Sequence, residues 1–355
     1  DKPSYAHYRR FIQGLKRLGD EGIKAYIIAG NHDPYPNWRT VIPDLPENAY
    51  LFPSDKPGFV CHEKNGEPLA VIAARGFCNM APGEDISEGM TRAAAEEKCG
   101  VKAPFCVGML HTGLWMDPYK APTSEQKLMA SGMDYWALGH IHKRYMNSET
   151  NPRVAFCGCV QGRDIKETGD RGCFMVTLEQ GFANQVEFVA CESVEWERLR
   201  VDVSQCAGYD DVISACIRRV FDENATSACD EMVVRITLEG TTPLHEMLSR
   251  EEALESLRRE LNEGYPSFYC DALLCATVPP RDKRALARSA SFYSTLLNGF
   301  EKEKDSKEDA LLYLQEEFSK RGLTLPGSVE RSIDRLYELG EDEILSLLEK
   351  RGDAR

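Results

Sequence analysis

The stretch KAYIIAGNHD, residues 24–33, decides the fold class of this chain. A short apolar run rich in β-forming residues ends in a polar Gly-Asn-His-Asp sequence, and it follows residues 4–19, whose apolar positions recur at helical spacing. A helix, a buried strand and a polar loop in this order are typical of one α/β unit. The pattern therefore predicts that Asn31 and His32 lie on a loop at the end of a strand.

The same alternation of apolar runs and polar loops continues through residues 1–198. Helical patterns occur near 88–98 and 123–130, and Asn65-Gly66 is typical of a hairpin turn. The strand candidates are 49–52, 58–62, 69–74, 105–110, 134–138, 153–157, 172–178 and 185–190. This part of the chain is predicted to form a layered, sheet-rich α/β domain.

After Trp196 the pattern changes twice. A small α+β cap domain is predicted over residues 199–282, and helical periodicity alone over residues 283–355 predicts a helical C-terminal tail. The cap prediction rests on a helix at 209–222, a strand at 231–238, a helix at 250–262 and a strand at 267–277. The apolar side of the tail is either the core of a helical bundle or a helix pair that binds a partner.

Composition describes an ordinary globular chain of 355 residues, with 42% hydrophobic and 28% charged residues. Its formal net charge of −14 argues against a stand-alone reader of duplex DNA, but it is compatible with an enzyme whose bound divalent metals supply positive charge. No apolar run approaches the roughly 18–20 residues of a membrane helix. Thirteen cysteines without a C-x-x-C pair indicate reduced thiols, and hence a cytoplasmic protein.

Four of the seven histidines lie in three short segments, each of which follows an apolar run. The segments are residues 30–33 (GNHD), 110–112 (LHT) and 139–142 (GHIH). Amide and carboxylate oxygens together with imidazole nitrogens suit manganese, iron or zinc. Side chains at i and i+2 of an extended segment lie about 6.5–7 Å apart. With a metal–ligand bond at each side chain, this separation matches two metals about 3.5–4 Å apart.

This spacing allows His140 and His142 each to reach one metal of such a pair. Asn31 beside His32 suggests that the amide faces a metal and the imidazole faces the substrate, with Asp33 available to fix the imidazole tautomer. Cys157 and Cys159 follow the last motif, and a strand that packs them beside the site is favoured over their use as soft metal ligands.

The order of the motifs resembles that of the calcineurin-like metallophosphoesterases. The later segment 156–173, FCGCVQGRDIKETGDRGC, is similar to the corresponding segment of the SbcD and YhaO-like bacterial DNA repair exonucleases. The resemblance extends over roughly the first 200 residues. It implies a layered metallophosphoesterase sandwich that binds two divalent metals, typically Mn²⁺, with Zn²⁺ or Fe as alternatives.

The resemblance also implies a role for each motif residue. Asn31, His111 and His140 would bind one metal and His142 the other. His32, supported by Asp33, would stabilise or protonate the leaving group, and Arg163 would contact phosphate.

The chain departs from the family pattern at its start. The opening strand with Asp-x-His and the following Gly-Asp-x-x-Asp are not seen before the first helix, and Asp1 corresponds to the last residue of the second motif. A sequence clipped upstream of Asp1 is favoured over a natural absence of these motifs. Reading the encoding DNA upstream of this codon would decide between the two.

The sequence thus predicts a metal-dependent phosphodiesterase that acts on DNA ends by attack of a metal-activated water on phosphorus. The family partner would be an SMC-like ATPase of the SbcC type, and a homodimer is left open. Two alternatives remain at this stage. One is a phosphoesterase that acts on a small phosphodiester or a phosphoprotein, and the other is a catalytically incomplete scaffold for the ATPase.

Overall fold

The protein is described here by a computed structural model. It describes residues 5–41, 44–225, 227, 229, 231–264, 267–280, 292–304 and 307–321, and further on 323–327, 329, 332, 333, 340, 344 and 345. The chain divides into two compact units, one of residues 1–197 with 226–232 and one of residues 198–225 with 233–355. The three-part division into 1–198, 199–282 and 283–355 stays a prediction.

The first unit alternates helices and strands as its apolar pattern predicts. Its helices are α1 (Tyr5–Asp20), α2 (Tyr35–Val41), α3 (Arg92–Cys99) and α4 (Glu125–Ala130). Its strands are β1 (Ala25–Ile27), β2 (Ala49–Leu51), β3 (Gly58–Lys64), β4 (Glu67–Arg75), β5 (Phe105–His111), β6 (Tyr135–Gly139), β7 (Tyr145–Met146), β8 (Val154–Phe156), β9 (Gly172–Thr177) and β10 (Gln185–Ala190). The predicted strands are confirmed, whereas α2 and β7 were not predicted.

The centre of the first unit is a six-stranded sheet in the order β3-β4-β5-β6-β8-β7. The pairs β4–β5, β5–β6 and β6–β8 are parallel, and the two outer strands are antiparallel to their neighbours. β1 pairs with β2 in parallel, and β9 pairs with β10 as an antiparallel ribbon. The mixed α/β fold class is confirmed.

Both faces of the sheet are covered, as alternate residues of β4 show. Val71 and Ala73 belong to a buried cluster that includes α3 and α4, whereas Ile72 packs in a second cluster with Phe52 beside β1 and β2. Because neighbouring side chains of a strand point to opposite faces, a strand buried on both sides reads as a continuous apolar run. This layering is the sandwich that the sequence predicts.

The second unit carries the predicted α+β pattern and the start of the helical tail, with the strand Val194–Asp202 and the short helix His245–Leu248 as elements that were not predicted. β11 (Val194–Asp202), which begins in the first unit, forms a three-stranded sheet with β12 (Glu231–Thr241) and β13 (Phe268–Val278). The helices are α5 (Tyr209–Asn224), α6 (His245–Leu248), α7 (Glu251–Gly264), α8 (Phe292–Lys304) and α9 (Lys307–Lys320). The predicted tail residues 281–291 and most of 334–355 lie outside the described residues.

One side-chain amide fixes α7 against the sheet of this unit. Asn262 accepts a hydrogen bond from the backbone N–H of Cys270 at 2.7 Å and donates one to the carbonyl of the same residue at 3.1 Å. Leu257 and Leu261 are fully buried on the same helix. Among the described residues, no helix has both the length and the apolar character needed to cross a lipid bilayer.

Candidate metal centre

The three motif loops meet at one edge of the central sheet. β5 ends at His111 and β6 ends at Gly139, and these two residues are direct partners in the parallel register. The loop after β1 joins them because the N–H of Phe77, just beyond β4, donates to the carbonyl of Ala29 at 2.9 Å. Ligand sites of parallel sheets lie at this edge, beyond the carboxyl ends of the strands.

Asn31, His111 and His140 form a compact cluster of polar side chains. Asn31 Oδ1 lies 2.8 Å from His111 Nε2, and the rings of His111 and His140 are 5.1 Å apart between centroids. Two glycines make this approach feasible. A Cβ atom at Gly30 would lie 2.7 Å from His111 Cε1, and one at Gly139 would lie 3.1 Å from His111 Nδ1. Residues 80 and 109 positions apart are thereby brought into one pocket.

The environment of His111 favours the neutral imidazole. Burial, and to a smaller extent the nearby His140, His142 and His32, lower the pKa of His111 from the ordinary value of 6.5 to about 3. Phe77 covers the ring edge-on, with centroids 4.8 Å apart. Because only an unprotonated nitrogen can bind a cation, this side chain is ready for metal binding at neutral pH.

His140 is held by a carboxylate and by an unusual backbone conformation. Its φ angle is +102°, which side-chain-bearing residues rarely adopt and which costs conformational energy. Its Nε2 lies 3.0 Å from Asp117 Oδ2, and this hydrogen bond, above all, lowers the pKa of Asp117. Since an ionised carboxylate only accepts, the Nε2 atom carries the proton and Nδ1 is left as the possible ligand atom.

A carboxylate also holds the ring of His142, but at Nδ1 rather than at Nε2 as in His140. Its Nδ1 makes a short hydrogen bond with Glu167, which also accepts from the backbone N–H of Arg163 at 2.9 Å. Burial alone would raise the pKa of Glu167, but the hydrogen bonds from these two residues lower it. An acidic residue that accepts from Nδ1–H directs Nε2 outward, an arrangement that is common behind metal-binding histidines.

A second set of donor atoms surrounds His142. Among the described residues, one group of metal-binding side chains has all its ligand atoms within 4.8 Å of one another, and it consists of His142, Cys159 and Glu167. The side chain of Arg171 donates to the carbonyl of His142 at 2.6 Å, which ties the 157–171 segment to this histidine. Cys159 thus lies beside the motif, but it follows β8 rather than lying in a strand, and its sulfur belongs to a possible ligand group.

His32 and Asp33 lie on the exposed side of the first loop. Asp33 Oδ1 accepts from the N–H of Gly30 at 3.0 Å, and Oδ2 accepts from Trp38 Nε1 at 2.9 Å. These contacts hold the loop in shape. The expected action of Asp33 on the tautomer of His32 stays a prediction. The side chain of Arg163 is 60% exposed, with its guanidinium 3.7 Å from Glu167.

Asp117 and Glu167 are the two site residues that sequence reasoning missed. Asp117 stands six residues after His111 in no recognisable pattern, and Glu167 lies among alternating charges that fit a phosphate-facing rim and a solvated surface equally well. The only available signal for Glu167 was its position within segment 156–173.

The donor set fits divalent metal ions. Manganese, iron and zinc accept O and N ligands of this kind. The set consists of one amide oxygen, one neutral imidazole, and two further imidazoles that are each held by a carboxylate. Burial of His111 without a charge of its own also fits a site whose positive charge comes from a bound ion.

Comparison with known proteins agrees with this geometry. The family described as "Metallophosphoesterase YhaO, middle domain" matches residues 196–277. "Uncharacterized metallophosphoesterase YhaO" of Bacillus subtilis is 37% identical over 235 residues, which are 64% of this chain and 54% of that protein. "DNA double-strand break repair protein Mre11" of Methanocaldococcus jannaschii is 24% identical over 203 residues, 55% of this chain and 52% of that protein.

The chain spans about half the length of these curated relatives. The motifs, the layered sheet and the similarities together support a protein of the calcineurin-like metallophosphoesterase class. Within that class, the middle region of the chain matches the YhaO family model, and the chain is similar to the YhaO protein of Bacillus subtilis.

Proposed function

We propose that this protein is a metal-dependent phosphodiesterase that acts on DNA ends. The observation that carries the proposal is the convergence of Asn31, His111 and His140, with 2.8 Å between the first two and 5.1 Å between the two rings. The similarity to a relative named as a DNA double-strand break repair protein supports DNA as the substrate. Hydrolysis by a metallophosphoesterase is supported by the stronger similarity to YhaO.

In this proposal, Asn31, His111 and His140 hold one divalent cation and His142 holds a second, with Mn²⁺ as the expected metal. Divalent cations supply such a site with a more acidic water and with positive charge beside the phosphoryl oxygens. Asp117 and Glu167 keep His140 and His142 in the tautomers that leave one nitrogen available.

The exposed His32 would hold a proton near the oxygen of the departing group, and this is its role as a general acid. Arg163 would approach a phosphate from the rim, and its exposed guanidinium supports that role. The cysteines that the structure describes are thiols rather than disulfides, which supports a cytoplasmic location.

An SMC-like ATPase of the SbcC type is the proposed partner, and a homodimer stays open. The tail supports a partner because Leu312 and Tyr313 of α9 are 56% and 63% exposed, so apolar surface is available on a helix. The second candidate function is hydrolysis of a small phosphodiester or a phosphoprotein. The net charge of −14 favours it, since a strongly acidic protein repels a polyanion at long range.

The test uses His32→Ala and His140→Ala in the full-length protein, with His7→Ala on the exposed side of α1 as the matched control. Both site variants should lose Mn²⁺-dependent cleavage of DNA ends while their circular dichroism spectra stay native, and the control should cleave normally. Wild-type turnover in both site variants would reject the assignment.

The same assay separates the alternatives. Cleavage of bis-p-nitrophenyl phosphate without cleavage of DNA would favour the small-phosphodiester function. Fewer than one divalent ion bound per chain, together with no hydrolysis of either substrate, would favour a scaffold for the ATPase.

A further inference from the structure

The loop that follows β5 presents large apolar side chains to solvent. Tyr119 is 81% exposed, Trp115 54% and Met116 39%, and Met80 of a neighbouring loop is 62% exposed. Lys120 joins the two loops, because its ammonium group donates to the carbonyl of Met80 at 3.1 Å. A group of exposed apolar side chains on one surface usually marks a binding site.

The backbone of this loop is held rigidly. Thr112 donates its hydroxyl to the carbonyl of Ala121 at 2.8 Å, and the N–H of Gly113 donates to the carbonyl of Lys120 at 2.9 Å. Leu114 and Ala121 have φ angles of +46° and +47°, and both side chains are buried. Left-handed backbone at residues other than glycine persists only where surrounding contacts enforce it, and it occurs preferentially at functional sites.

One carboxylate connects this loop to the metal centre. Asp117 Oδ1 accepts from the backbone N–H of Tyr119 at 3.2 Å, while Asp117 Oδ2 accepts from His140 Nε2 at 3.0 Å. The side chain of Asp117 therefore links the backbone of Tyr119, whose ring is exposed, directly to a candidate metal ligand. The ring of Trp115 packs edge-to-face against the ring of Tyr145, and the two centroids are 5.0 Å apart.

A planar ring at this place can bind one group that a phosphodiester of DNA always carries nearby, namely a base. Bases stack on exposed aromatic rings whatever their sequence, and stacking needs no positive charge on the protein. This matters for a chain with 43 basic and 57 acidic residues, because its net charge opposes attraction to phosphates at long range.

We infer that Tyr119 is a stacking platform for an unpaired base beside the reacting phosphodiester, so that the site takes single-stranded or frayed DNA ends. The inference rests on the proposed function and deepens it, because it specifies which form of DNA the site binds. In the interior of a duplex each base is stacked between its neighbours and presents no face to a protein ring.

The test measures binding without catalysis. A fluorescent oligothymidine of about a dozen nucleotides is titrated with the protein in EDTA at low salt, and fluorescence anisotropy gives the dissociation constant. Tyr119→Ala should weaken binding about tenfold, the effect expected for the loss of one stacked base. Tyr119→Phe keeps the ring and should bind like the wild type. Phe182→Ala, which removes a 68% exposed ring elsewhere in the same unit, should also bind normally.

An abasic oligonucleotide of equal length provides the second control, because it retains every phosphate and lacks the bases. Its affinity should be the same for the wild type and for Tyr119→Ala. Equal loss on both oligonucleotides, or no loss on either, would overturn the stacking role and leave DNA as the substrate. No binding of oligothymidine by the wild type would overturn both the inference and the proposed substrate. A change of oligomeric state in Tyr119→Ala with unchanged oligonucleotide affinity would assign the surface to protein docking instead.

Discussion

Protonation of His111 should make the first unit of the protein sensitive to acid. In the unfolded chain this imidazole takes up a proton near pH 6.5, whereas burial and the neighbouring histidines in the folded protein hold its pKa at about 3. The unfolded state therefore binds more protons than the folded state between these values, and stability falls as the pH is lowered through that range. At pH 5, about 1.5 pH units below the unfolded pKa, the loss is about 2 kcal/mol of unfolding free energy.

Urea unfolding followed by tryptophan fluorescence at pH 7 and pH 5 would measure this loss. All four tryptophans, Trp38, Trp115, Trp136 and Trp196, belong to the first compact unit, so the signal reports the unit that contains His111. EDTA in every sample removes any effect of metal binding on stability. The variant is His111→Gln, which cannot titrate and retains an amide that can reach Asn31.

The comparison between proteins isolates His111 from the other acidic and basic groups. The wild type should lose about 2 kcal/mol more than His111→Gln between pH 7 and pH 5. His7→Gln, a substitution on the exposed side of α1, should behave like the wild type. If His111→Gln loses as much stability as the wild type over this interval, the buried imidazole is not the group that titrates and the reasoning is refuted.

Two further predictions concern the support of the site and the packing of the sheet. Glu167→Ala removes the hydrogen-bond acceptor of His142 Nδ1 and should weaken Mn²⁺ binding about 10- to 100-fold in calorimetric titrations. Glu167→Gln should recover part of this affinity. Unchanged affinity in the alanine variant would contradict an orienting role of Glu167. Gly108→Ala would place a Cβ atom in the ring of the buried Trp136 and should destabilise the first unit by about 1–3 kcal/mol in urea unfolding. Gly14→Ala on α1, where a Cβ atom would meet nothing within 4 Å, should be neutral or stabilising. Equal effects of the two substitutions on stability would refute the packing argument.

Much of the fold followed from local pattern. The runs at 105–110 and 134–138 are apolar, short and closed by polar residues, and they are the strands β5 and β6. α2 was missed because its seven residues include Pro36 and show no apolar period, and β7 was missed because two residues carry no period at all. Both form because neighbouring segments offer them hydrogen bonds, such as the pairing of Tyr145 with Phe156.

The amino-acid sequence alone determined which residues are candidates for the site, because His and Asn in polar loops after apolar runs are visible without coordinates. Only the tertiary structure decided the pKa, the backbone conformation and the hydrogen-bond partners of these residues. The low pKa of His111, the left-handed backbone of His140 and the carboxylates of Asp117 and Glu167 behind two imidazoles all arise from contacts between distant segments. Burial and electrostatic attraction depend on distance in space, and sequence separation does not report that distance.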